Sequence, residues 1–334
     1  MRTVPLGRSG EQVSALALGC MLMGTSTDEA ASTLILERYL EAGGTFLDTA
    51  DCYAWWPDAP AGAAAFTGGE SESLLGRWFA KSGRRDDVFL ATKGSAWVGD
   101  PAGIREGRVS AASQYAGAGG DTLRHALDAS LRRLGVDHVD LYYVHVDDLE
   151  TPLEETLQAL AGLVAAGKTR HIGWSNVTTA RLGAIAALCG EHGWPAPVAV
   201  QQEHSYLRPA APSVSIVDGE QLAYLRQHPE VTLVAYSPIL KGVYDDVAKR
   251  QSHHVMQAYQ GADTEARFAA VARVAAELGV TGNQLVLAWL LHQQDPARVT
   301  LIGPRTPSHY DAAVAALDIS LDAATLDTLA AAGA

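Results

Sequence analysis

Four side chains in this sequence, Asp48, Tyr53, Lys93 and His145, have the types needed for a proton-transfer set. A phenol with an ordinary pKa of about 10 is a weak acid-base catalyst near neutrality. A neighbouring ammonium favours the phenolate and pulls that value down, so Lys93 beside Tyr53 would tune it. A buried ammonium in turn needs an anion, which Asp48 can supply. His145 can donate or accept a hydrogen bond and suits a substrate oxygen in the same cleft. Taken singly, each has a plainer role: a helix cap, a loop aromatic, a solvated lysine, a satisfied core histidine. They become a site only if the fold brings them to one level.

The elements that could do so alternate along the chain. Short apolar or β-branched runs lie at 14–18, 45–47, 88–91, 139–144, 171–173, 198–200, 232–235 and 299–302. Polar groups follow six of them: Asp48 to Tyr53, Thr92-Lys93, His145, Trp174-Ser175-Asn176, Gln201-Gln202-Glu203 and Tyr236-Ser237-Pro238. Between the runs, apolar residues recur every three or four positions, as in Leu123, Leu127, Leu131, Leu134 and Leu153, Leu157, Leu160, Val164, which predicts helices. Gly135 reads as a stop for the first. Thr151-Pro152 with Glu154-Glu155 reads as the N-cap, first-turn proline and acidic first turn of the second.

Eight such units without a polar linker predict a parallel sheet covered by helices, and a closed (β/α)8 TIM barrel occupying residues 1–334 as one domain fits the count. A doubly wound sheet would announce a dinucleotide site by G-x-G-x-x-G after the first strand. Gly117-Ala-Gly119-Gly120 comes nearest, but it lacks the third glycine and follows no strand. In barrels of this kind the chemistry collects at the C-terminal strand ends, where the polar groups fall.

Composition narrows the partners. The chain has 334 residues and a net charge of −13, without a Lys/Arg-rich tract, so neither nucleic acid nor an anionic membrane surface is expected as a partner. No apolar window reaches the roughly 18 residues a membrane span needs. The cysteines, Cys20, Cys52 and Cys189, are too few and scattered for a disulfide framework or a thiolate metal site. No metal is expected, and a reducing cytoplasm is the simplest setting. Gly173-Trp-Ser175-Asn-Val177 narrowly misses the G-x-S-x-G nucleophile elbow.

The residues also resemble a known family, the aldo-keto reductases. The resemblance rests on Thr45-Phe-Leu-Asp48-Thr-Ala-Asp-Cys-Tyr53, Ala-Thr-Lys93, Asp140-Leu-Tyr-Tyr-Val-His145, Gly167-Lys-Thr-Arg-His-Ile-Gly173-Trp-Ser-Asn176, Tyr236-Ser-Pro238 and Ile302-Gly-Pro-Arg305-Thr-Pro307. It runs in family order over nearly the whole chain. It implies NADP(H)-dependent reduction of an aldehyde or ketone, with Tyr53 as general acid, Lys93 and Asp48 tuning it, and His145 orienting the carbonyl. It also implies a cofactor site. Ser175, Asn176 and Gln201 would grip the nicotinamide amide near Asp48, and Tyr236 would face the ring. Ser237, Pro238, Ile239, Leu240, Lys241 and Gly242 would run along the pyrophosphate, with Gly19, Cys20 and Met21 at the first strand end. Gly303, Arg305 and His309 would serve the adenine ribose. Because His309 and Ala313 depart from the commoner family residues there, NAD(H) stays open beside NADP(H).

Long loops at 54–69 and 94–120 follow two catalytic strands and are expected to wall the substrate pocket, with Trp55, Trp56 and Trp97 as aromatic lining beside Tyr53 and His145. His253-His254 has no carboxylate or cysteine at ligand spacing and reads as loop. Two other functions stay in view: a nicotinamide-binding regulatory subunit with little turnover, and an enzyme working mainly as an alcohol or sugar dehydrogenase.

Overall fold

The computed structural model describes residues 1–53 and 67–333. Eight parallel strands close into a barrel: β1 Leu16–Gly19, β2 Phe46–Asp48, β3 Phe89–Gly94, β4 Val139–Val144, β5 Thr169–Ser175, β6 Ala199–Glu203, β7 Thr232–Tyr236 and β8 Arg298–Ile302, with β8 pairing back onto β1. Strands buried on both faces need near-continuous apolar sequence, which is why the runs stand out. All eight expected runs are strands, but most strands continue past the apolar stretch into polar residues. Asp48, Lys93, Ser175 and Gln201 therefore lie within the sheet. Pairing puts Gly19 beside Asp48, Asp48 beside Ala91, Lys93 beside Tyr143 and Ser175 beside Gln201. The ladder thereby sets the level at which the functional groups emerge.

The helices cover the barrel: α1 Glu29–Glu41, α2 Glu70–Ser82, α3 Gly120–Leu134, α4 Leu153–Ala165, α5 Thr179–His192, α6 Gly219–Gln227, α7 Thr264–Leu278, α8 Gly282–His292, α9 Pro307–Val314 and α10 Ala323–Ala331. Helix α3 buries Leu123, Leu127 and Leu134 and leaves Arg124 and Arg132 exposed, each buried leucine stabilising by about 1.5–3 kcal/mol. Gly135 ends it with φ 65°, its N–H on the Leu131 carbonyl. The expected cap of α4 is different. Pro152 itself is the N-cap, and the Thr151 hydroxyl donates to Asp148 instead, 2.7 Å away. Thr281 and Gln284 form a reciprocal capping box at α8.

The expected 14–18 run is two elements. Ser14 ends a short hairpin, Thr3–Pro5 against Gln12–Ser14, and only Leu16 onward enters the barrel. The hairpin closes the N-terminal end of the barrel. Thr232 Oγ1 accepts from the Gly7 N–H at 2.7 Å and donates to the Pro5 carbonyl at 3.0 Å, and the Arg8 N–H reaches the Glu230 carbonyl. Phe46 and Tyr143 point into the barrel, whereas Trp174 and Tyr142, whose hydroxyl donates to the Leu123 carbonyl of α3 at 3.3 Å, lie on the outer face beneath the helices; all four are fully buried. A Cβ at Gly173 would lie 2.5 Å from the Tyr143 ring, so the ring packs on bare backbone there.

A second apolar cluster joins Tyr206, Tyr244, Tyr259 and Phe268 to α7 and α8. Among the described residues no single helix is long and apolar enough to cross a membrane; the apolar pair α7 and α8 is bent by 96°.

Candidate active site

The four expected catalytic side chains meet at the C-terminal mouth of the barrel. Asp48 ends β2, Tyr53 follows one turn later, Lys93 sits near the end of β3, and His145 is the residue after β4. Lys93 is fully buried and Asp48 is 1% exposed. The Lys93 ammonium spends its three donors on three oxygens: Asp48 Oδ1 at 2.5 Å, the Thr49 carbonyl at 2.7 Å and Tyr53 Oη at 2.9 Å. Because Tyr53 accepts from Lys93, its own hydroxyl proton remains to be donated elsewhere. The other Asp48 oxygen takes the Gln201 amide N–H at 2.8 Å. The buried carboxylate is therefore held from two sides.

The expected sign of the Tyr53 shift is corrected by burial. Desolvation pushes the phenol well above its ordinary value, and the Asp48 carboxylate adds to the rise. Tyr53 is thus firmly protonated, the state a proton donor needs. His145 moves the other way: burial, with the Lys93 charge behind it, holds the imidazole well below its usual value and therefore neutral. Its ring stands edge-on to Tyr53, centroids 5.6 Å apart, and its Nδ1 lies 3.6 Å from Cys52 Sγ.

Asn176 occupies a left-handed backbone position with φ 52°. Its amide donates to the His145 carbonyl at 2.8 Å and accepts from the Tyr236 hydroxyl at 2.9 Å, tying the ends of β4, β5 and β7 together. Ser175 is 1% exposed, and Gln201 is 2% exposed with its N–H already committed to Asp48. Beyond β7, Ser237, Leu240, Lys241 and Gly242 all have positive φ. Three of these are not glycine, and such conformations gather where a loop is shaped for a ligand.

Gly19 and Gly303 face each other across the β1 and β8 ends. A Cβ on Gly303 would meet nothing nearer than the Gly19 carbonyl at 3.9 Å, which leaves a shelf open for close approach. Arg305 is exposed and makes no ion pair among the described residues. Thr306 caps α9 by accepting from the His309 N–H at 3.2 Å, and Arg305 and His309 thus flank a helix N-terminus suited to a phosphate. Amide grip, glycine shelf and basic helix start together suit a dinucleotide.

Not every expected contact residue faces the cleft. Cys20 has no exposed surface, its N–H on the Asp48 carbonyl and its own carbonyl bonded by Ser71, and Leu240 is equally buried. Both brace the site from behind. Trp97 is half-buried, with the Arg133 guanidinium 5.6 Å from its ring and Gly68 against its edge. Trp55 and Trp56 lie outside the described residues. His253 turns its Nδ1 inward to the Val255 N–H.

Sequence reasoning missed the support beneath the set. Glu72, fully buried at the start of α2, accepts from Thr92 at 2.5 Å and from Arg133 at 2.7 Å. Asp51 lies close by, 1% exposed, its carboxyl pushed up to about 8 by burial and then by Glu72. Only the acidic run Glu70-Ser-Glu72 hinted at this, since no local spacing reveals a partner at Arg133. At the opposite end of the barrel, a polar hollow is occupied by its own ion pairs, Arg85 and Arg170 each 2.9 Å from Asp140.

A match to the aldo/keto reductase family covers residues 15–334. The chain belongs to that family. It is 31% identical over 321 residues to an uncharacterized oxidoreductase, YrpG, of Bacillus subtilis, covering 95% of this chain and 91% of that one. It is likewise 31% identical over 342 residues to an aldo-keto reductase of Schizosaccharomyces pombe named for NADP(+), covering 97% and 90%. A norsolorinic acid reductase of Emericella nidulans is 31% identical over 329 residues, 94% of this chain and 76% of that one. As an aldo-keto reductase the chain is an oxidoreductase, of a class that uses NADP(H) and acts on small carbonyl substrates.

Proposed function

We propose that this aldo-keto reductase reduces an aldehyde or ketone to the alcohol, with Tyr53 as the general acid. The observation that carries the proposal is the saturated Lys93 ammonium, which donates to Tyr53 Oη and leaves the phenolic proton as the one available to a substrate oxygen. When bound, NADPH supplies the hydride. Tyr53 holds its proton at Oη and releases it to the carbonyl oxygen as negative charge builds there. Lys93 stabilises the phenolate left behind, and Asp48 keeps Lys93 from being an uncompensated buried charge. Neutral His145 offers a hydrogen bond to the same oxygen and fixes its approach without adding a competing positive charge.

Asn176 and Tyr236 would hold the nicotinamide half, Lys241 the pyrophosphate, and Gly303, Arg305 and His309 the phosphate-bearing adenine ribose. The preference for NADP(H) is supported by the exposed Arg305 guanidinium, which suits a bidentate grip on a 2′-phosphate.

The test is NADPH consumption with aliphatic and aromatic aldehydes and ketones, and with NADH in parallel. Tyr53→Phe should lower kcat by about 10³-fold, in the range expected for a lost general acid, while NADPH binding stays within about threefold. Tight NADPH binding with no turnover on any carbonyl would favour the regulatory alternative, and full activity in Tyr53→Phe would remove the phenol from the chemistry.

A further inference from the structure

The catalytic histidine has a second neighbourhood that the reduction does not use. Asp51, Cys52 and His145 each contribute one ligand-type atom to a tight cluster: a carboxylate oxygen, Sγ and an imidazole nitrogen, all within 4.8 Å of one another. Asp51 and Cys52 are each 1% exposed. Asp51 Oδ1 has no hydrogen-bond partner among the described residues, an expensive position for a buried carboxyl oxygen. The Cys52 Sγ to His145 Nδ1 separation is 3.6 Å, a sulfur–nitrogen hydrogen bond in the metal-free protein. It is close to the spacing of two ligands on one metal. Zn–N and Zn–S bonds of about 2.0 and 2.3 Å, opened to a tetrahedral angle, put the two donor atoms about 3.5 Å apart.

We propose that Asp51, Cys52 and His145 form a binding site for a late first-row divalent cation such as Zn²⁺, and that its occupancy reversibly switches the reductase off. The donor set is one carboxylate, one thiolate and one imidazole, a borderline-soft combination that suits Zn²⁺ and Co²⁺ and excludes Mg²⁺ and Ca²⁺. Binding forms metal–S, metal–N and metal–O bonds and releases to solvent the Cys52 thiol proton and any proton on Asp51. The fourth position is left for water. The site is invisible to spacing because His145 comes from β4, whereas Asp51 and Cys52 come from the turn after β2.

Inhibition follows from the shared histidine. A cation on Nδ1 fixes the imidazole in a metal-centred orientation and pulls Cys52, and with it the adjoining Tyr53, toward the ion. This half of the proposal rests on the role proposed above for His145; the binding half does not.

The experiment reads the two halves separately. The reduced full-length protein, stripped of metal with a chelator, is titrated with Co²⁺ and its absorption followed. One equivalent should raise a thiolate-to-cobalt charge-transfer band, absent in Cys52→Ala and requiring at least tenfold more Co²⁺ in Asp51→Asn. Cys20 and Cys189 remain in both variants, so any band they produce is counted out. Melting curves of the apo variants check folding, and Cys52→Ser serves as a second test should the alanine fail to fold. In parallel, Zn²⁺ should inhibit NADPH-dependent carbonyl reduction, EDTA should restore it, and the half-inhibiting concentration should rise at least tenfold in Cys52→Ala. No thiolate band in the wild type, or an equal one in Cys52→Ala, overturns the site. A cobalt site with turnover indifferent to Zn²⁺ overturns the switch and leaves the site standing.

Discussion

Replacing Lys93 with methionine keeps most of the side-chain volume and removes the ammonium. At an effective dielectric constant of about 20, an ammonium and a phenolate oxygen at 2.9 Å attract by about 6 kcal/mol. Asp48, bonded to the same ammonium, offsets part of this, leaving about 3–4 kcal/mol for the phenolate that forms as Tyr53 gives up its proton. The expected fall in kcat is therefore about 10²–10³-fold. Stability should fall as well, by about 3–5 kcal/mol, because Asp48 becomes an unpaired buried carboxylate with Gln201 as its remaining side-chain donor. NADPH affinity, measured by quenching of protein fluorescence, should change by less than about threefold, since the ammonium's three bonds all go to protein oxygens. The assay is kcat and the NADPH dissociation constant on the same preparation, below the variant's melting temperature. A kcat loss under tenfold, or an equal loss in kcat and NADPH affinity, would refute the reasoning and assign Lys93 to the cofactor.

Arg305→Ala should weaken NADPH binding at least tenfold while leaving NADH binding nearly unchanged, as paired titrations would show; equal losses would mean Arg305 does not contact a 2′-phosphate. Glu72→Ala should cost about 3 kcal/mol in urea unfolding, because it strips the Arg133 guanidinium and the Thr92 hydroxyl of a buried acceptor. His204, which accepts from the buried Arg298 guanidinium at 2.9 Å, has its pKa pushed down to about 3 by burial and then by that charge. The unfolded chain takes up this proton near pH 6.5 and the folded one does not, so stability is lost as pH falls from about 6.5 toward 3, by about 3 kcal/mol at pH 4.5. His204→Gln should flatten that acid limb in urea titrations at pH 7 and 4.5, and an unchanged limb would exclude His204 as its source.

The strands were legible because a sheet buried on both faces leaves an apolar signature, and so was the alternation that implies a barrel. Their C-terminal ends were not, since the hydrogen-bond ladder carries on where hydrophobicity stops: Lys93 and Gln201 are strand residues with polar side chains. The hairpin escaped because each of its strands is three residues long and Ser14 adjoins the next apolar run. Thr151 looked like a cap because it precedes an acidic first turn, but the helix begins at Leu153 with Pro152 as its N-cap, which leaves the Thr151 hydroxyl one residue too early to accept from the first turn. Residue types foretold which groups would meet around Lys93. They did not foretell the sign of the Tyr53 shift, because neighbouring charges can be listed from a sequence whereas desolvation belongs to the folded surroundings.

The hairpin covers the N-terminal end of a barrel whose interior, with Phe46 and Tyr143 buried in it, is packed rather than hollow. Asp48 and Lys93 are buried at the top of that packing, so bulk water has its way to them only from the mouth. Anything laid across the β1 and β8 shelf and the β7 loop then acts as a lid. Docking a dinucleotide there would drain the space around the phenol and strengthen each charge–dipole contact within it at once. The packing beneath the site thereby lets a single binding event set the dielectric in which the proton moves.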